Sequence, residues 1–137
     1  MLKAKTQIAV WISLYVFWLI FSVPYHPTMS IDIIVTAILL VAYVCAVYVN
    51  QLVLIPRLLR QMKFGAYFGA LIAVMVVITF AAFTSVRAVY LSLWRPEEIG
   101  DYWSHFFIDL FGMGVHVALG AVYVAIAHRF TRKPDAT

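Results

Sequence analysis

Four long apolar runs alternate with short polar breaks, and the charged residues gather in the breaks. This pattern predicts four helices, over about residues 7–23, 31–55, 64–86 or longer, and 104–127. The first is short for a hydrocarbon core of about 30 Å, while the second and third can cross it with some tilt. Trp11, Tyr15 and Trp18 make the first run aromatic. Between the second and third runs lies NQLVLIPRLLRQMK, residues 50–63. Pro56 has no amide N–H and disfavours helix in the residue before it, so the second helix is expected to stop near Ile55.

Composition decides what surrounds these helices. Of 137 residues, 65% are hydrophobic and 12% charged, with a mean hydropathy of +0.96. A soluble chain of this size leaves too much surface exposed to hide so many apolar side chains. Lipid is therefore the expected solvent. A backbone in lipid must pair its own polar groups, which favours a four-helix membrane bundle over any sheet. The formal charge of +4 arises from cations at the ends of apolar runs. They read as topology signals and contacts to anionic headgroups, not as a nucleic-acid surface. Cys45 is the single cysteine, so no intrachain disulfide can form, and it reads as an inert small hydrophobe. The first run ends in Pro24-Tyr25-His26-Pro27 without a small-residue cleavage pattern, and is expected to be a retained helix.

Counting Lys and Arg by side gives an orientation. Lys3, Lys5, Arg57, Arg60, Lys63, Arg129, Arg132 and Lys133 fall at the N-terminus, the central hairpin and the C-terminus. The other two breaks hold only Arg87 and Arg95, with Glu97, Glu98 and Asp101 nearby. Both termini are therefore expected in the cytoplasm, with residues 24–32 and 88–103 outside. Trp94, Tyr102 and Trp103 then form an outer interfacial belt.

Ionisable groups inside a spanning helix are costly, which makes them the first candidates for function. Helical turns of about 100° per residue put His105, Asp109, Gly112, His116 and Tyr123 on one face. With a rise of about 1.5 Å per residue, His116 lies halfway across and Asp109 near the outer edge. His116 has three readings: a neutral imidazole bonded to a neighbouring helix, a protonation or ligand sensor, or a haem or metal ligand. The spacing of His105 and Asp109 also permits two ligands on one metal, although HFFID is not a specific metal signature. Arg87 and Asp109 lie at similar depth and can fasten the third helix to the fourth as an ion pair; otherwise Arg87 snorkels and Asp109 meets water. Gly65 and Gly69, extended by Ala73, form a small-residue face, and Gly112 and Gly120 form a second one with His116 between them. Asn50 is expected to donate an interhelical hydrogen bond.

The central YVNQLVLIPRLLRQMKFGAYF carries a resemblance. It is similar to the membrane portion of LytS/YehU-like bacterial sensor histidine kinases of the Bacteroidetes type, through Tyr48, Asn50, Leu54, Ile55, Pro56, Arg57, Lys63, Phe64 and Tyr67. The aromatic WISLYVFWLIF and the closing AHRFTRK resemble the first helix and the exit of the fourth in that group. The resemblance implies a homodimeric sensory domain in the bacterial inner membrane, passing a signal through helix 4 to an attached or associated kinase output domain. The 137 residues hold no phosphoacceptor pattern around His26, His105, His116 or His128, and no Gly-rich nucleotide loop, so no enzyme activity or cofactor is assigned to them. Two rivals remain: a small haem- or metal-binding redox protein using His116, and an oligomeric proton or ion path lined by His116 and Asp109.

Overall fold

The computed structural model describes residues 4–93 and 102–131, with side chains described as far as Ala127 and not for residues 102–104. Trp94, the 95–101 break, Lys3, Arg132 and Lys133 lie outside the described residues, as do the side chains of Tyr102, Trp103, His128 and Arg129.

Helix α1 spans Ala4–Ser22 and closes in a 3₁₀ turn at Val23–Tyr25. Helix α2 starts at Met29, two residues earlier than its apolar pattern suggests, because the Thr28 hydroxyl caps it by accepting the Ile31 N–H at 3.3 Å. It runs to Val49 and continues as a π-helical stretch, Asn50–Leu59. Helices α3 and α4 span Phe64–Leu93 and Tyr102–Thr131. Four spans are long and apolar enough to cross a membrane, as the sequence predicts.

The expected stop at Ile55 is overturned. The chain passes through Pro56 without leaving the helix and changes its pitch instead. A proline ring clashes with the carbonyl four residues back and offers no N–H, and bonding five residues back accommodates both defects. The Arg60 N–H bonds to the Ile55 carbonyl at 3.0 Å in this wider pattern. The real stop comes at Met62, whose φ of 60° is left-handed. There the Lys63 N–H reaches the Leu58 carbonyl at 3.0 Å and the Met62 N–H reaches Leu59 at 3.1 Å, the paired bonds of a Schellman closure.

The helices run up and down, so one end of the bundle holds the α1–α2 turn (the turn end) and the other the basic 57–63 segment (the basic end). Helix α2 is the hub. Its Ala42, Tyr43, Ala46 and Val47 pack with Ala82 of α3 and Met113 and Val117 of α4. Alanines at this seam let the backbones approach closely. Nearer the turn end, Ile31 and Val35 pack with Val86. Helix α1 buries no residue and leans on α2 from outside. Large apolar side chains such as Ile20 at 69% and Phe111 at 75% exposure cover the outer surface, which fits a multi-pass membrane protein. Hydroxyls on that surface are internally satisfied: Ser13, Thr84 and Ser85 donate to the carbonyl one turn back.

Candidate functional site

A cavity of about 810 Å³ occupies the turn end of the bundle. Every helix contributes to its wall. Trp18, Phe21 and Ser22 come from α1, and Thr36, Leu40 and Tyr43 from α2. From α3 come Phe83, Arg87 and Tyr90, and from α4 His105, Ile108 and Asp109. The α1–α2 turn covers it through Pro24, Tyr25, His26 and Pro27. Of the residues singled out in the sequence, Arg87, His105 and Asp109 therefore converge on one space, and His116 stands just beneath it.

His116 is held at every polar atom. The Trp18 indole N–H donates to its Nε2 at 3.2 Å, and its Nδ1 lies 2.7 Å from the Gly112 carbonyl. Because Nε2 accepts, Nδ1 must carry the proton, which fixes a neutral tautomer. The ring stacks on Tyr43 with centroids 4.4 Å apart and planes 24° from parallel. An imidazole bound this way fastens α4 to α1 and α2, and to ligate iron through Nε2 it would have to surrender the Trp18 bond. Gly112 is small because Tyr43 is there: an added Cβ would lie 3.1 Å from the Tyr43 hydroxyl. Gly120 likewise makes room for Val47 and Gln51, each 3.0 Å from an added Cβ. Gly65 and Gly69 meet nothing within 4 Å, so their face is open within the chain. Tyr123, assigned to the polar face, is 47% exposed.

Among the described residues the most buried charged side chain belongs to Asp32, which the apolar pattern assigns to a break. Asp32 is 1% exposed, in the first turn of α2. Its Oδ1 accepts from the Ser22 hydroxyl at 2.5 Å and from Thr36 at 3.5 Å, while Oδ2 has no partner among the described residues. His26 links this carboxylate to α3: its Nε2 lies 3.6 Å from Asp32 Oδ1, and its Nδ1 bonds the Tyr90 hydroxyl. Burial lowers the pKa of His26 from its ordinary value of 6.5, and the negative charge of Asp32 opposes that shift. A signal for this cluster was available. Asp32, Thr36, Leu39 and Tyr43 recur at helical spacing on the face that also carries Ile31 and Val35, so a carboxylate was written into the core stripe of α2.

At the basic end, Asn50 is 1% exposed and accepts from the Tyr67 hydroxyl at 2.9 Å. It was expected to donate; its Nδ2 is buried with no partner among the described residues. Arg57, Arg60 and Lys63 are exposed. Gln7, Tyr48 and Trp11 form a further polar chain between α1 and α2, with Tyr48 donating to Gln7 Oε1 at 2.9 Å. Among the described residues no group of three or more His, Cys, Asp or Glu side chains is arranged to hold a metal ion.

No family model, curated protein or solved structure gives a significant match.

Proposed function

We propose that this chain is the sensory, signal-transmitting membrane domain of a histidine-kinase-like two-component system. In this reading it sits in the bacterial inner membrane with both termini in the cytoplasm, works as a homodimer, and drives an attached or associated output domain. Exposed Arg57, Arg60 and Lys63 at the basic end support that orientation, since short cationic loops stay on the cytoplasmic side. The turn end then faces outward.

One observation carries the reading. The cavity at the turn end is walled partly by His105, Ile108 and Asp109, and the helix bearing them runs without interruption to Thr131 at the opposite end. A helix is a stiff rod over that length, so a change in the cavity that favours another tilt or rotation of α4 is felt at its far end. His116 is the fulcrum of this motion, because it clasps α4 to α1 and α2 through Trp18 and Tyr43.

The test is to fuse a kinase output module after Lys133 and measure autophosphorylation in membranes. Substitutions that disturb the cavity wall or the clasp, Asp109→Asn and His116→Ala, are expected to change the basal activity or its response by several-fold. Activity indifferent to both would remove the sensory role.

A further inference from the structure

Chemistry of the cavity narrows what can occupy it. Its wall mixes signs: Arg87 and His105 share it with Asp109, and the Asp32 carboxylate lies behind His26. A wall carrying both signs suits neither a simple anion nor a simple cation. A neutral head that both accepts and donates hydrogen bonds suits such a wall. Tyr43 supplies the decisive observation. It is 7% exposed and lines the cavity, with its ring stacked on His116. Its hydroxyl therefore sets one O–H donor in the cavity wall. Asp109 on the same wall offers an acceptor. Toward the α1–α2 turn, the linked His26 and Tyr90 offer a second polar contact point. Between these ends the wall is apolar and aromatic, with Trp18, Phe21 and Phe83 able to lie against a flat ring.

The way in is sideways. Phe21 on α1 is 55% exposed and Ile108 on α4 is 66% exposed, yet both line the cavity. The cavity rim therefore reaches the apolar flank between α1 and α4, where lipid and not water is the neighbour. A ligand entering there is a membrane-soluble one, and its tail can remain in the lipid.

We propose that this cavity binds an isoprenoid quinone, its ring held between the Tyr43–Asp109 wall and the His26–Tyr90 pair and its tail leaving between Phe21 and Ile108. One quinone carbonyl accepts from the Tyr43 hydroxyl, and the reduced form can donate to Asp109 and to the Tyr90 oxygen, whose own proton is engaged by His26, so one site receives both states without any electron transfer by the protein. The proposal deepens the sensory reading by naming its ligand class, but the binding claim stands or falls by a separate measurement.

Purified full chain in lipid nanodiscs is titrated with decylubiquinone by equilibrium dialysis. Saturable binding at one per chain is expected. Ile108→Trp, which obstructs the rim from an exposed position and leaves the helix packing alone, should weaken it at least about tenfold. Tyr43→Phe keeps the ring stacked on His116 and should weaken it about fivefold, the equivalent of one ordinary hydrogen bond. Phe111→Trp, at a site 75% exposed and not on the cavity wall, should bind as the parent does. Non-saturable partitioning, equal loss in Phe111→Trp, or full displacement by decyltrimethylammonium at similar concentration would overturn the assignment. Quinone binding with no change in the fused kinase would keep this site and remove the sensory reading; a responsive kinase without quinone binding would do the reverse.

Discussion

Two histidines show how differently one side chain can be used inside the same bundle. His116 sits deep on α4 with both ring nitrogens bonded and its face covered by Tyr43. His26 sits on a turn, bridging a buried carboxylate and a phenol on two helices, over a cavity. The first network closes on itself and leaves nothing for a ligand. The second is incomplete: Asp32 Oδ2 has no partner among the described residues. Polar groups inside a bundle of apolar helices are therefore not equal markers of function. Depth alone points to His116, while the unfinished hydrogen bonding nearer the turn end lies around His26 and Asp32.

That contrast can be broken experimentally. The largest effect is expected for Asp32→Ala, which strips the Ser22, Thr36 and His26 cluster of its common acceptor and should cost about 3 kcal/mol, read as a shift in the denaturant midpoint in detergent. His116→Ala should cost about 2 kcal/mol by the same assay, since it removes a ring stack and leaves the Trp18 N–H without its acceptor. If that loss exceeded the one at Asp32, the ranking of the two networks would be inverted. Trp18→Phe keeps the apolar ring and removes one hydrogen bond within the bundle, for which about 0.6 kcal/mol is expected. Smallest is a pH effect. Because the folded-state pKa of His26 lies below the ordinary 6.5, its contribution is fully present above that value and is lost as the pH falls through the folded pKa. The midpoint should drop on acidification below about pH 6.5, and His26→Gln should flatten the drop. An identical slope in His26→Gln would assign the effect to other groups.

Much of the architecture could be read before any coordinates. Apolar runs of this length favour helices, and the four spans and the small residues at 112 and 120 follow from spacing. Of the expected polar stripe of α4, His105 and Tyr123 are exposed, and the buried positions among the described residues of that helix are Phe106, Met113 and Val117. Two features did not. Pro56 was read as a terminator because local sterics favour that outcome, but widening the helical turn is an alternative that propensity rules do not register. Asp32 was passed over because a carboxylate beside a turn normally belongs to water. Only its phase with Thr36 and Tyr43 reveals the inward direction, and its partners, Ser22 and His26, come from outside its own helix. The convergence of Arg87, His105 and Asp109 on one cavity depends on how α3 and α4 lie against each other, which no single helix encodes.

The ten residues from Asn50 to Leu59 have one more consequence. Bonding five residues back stores slack: the same stretch could tighten to ordinary pitch, and the guanidinium groups of Arg57 and Arg60 would then swing about the axis by about 100° for each residue of slip. Proline at 56 opposes that tightening. An alanine in its place would free the bearing, and the cationic collar of the hub helix would point toward a different neighbour.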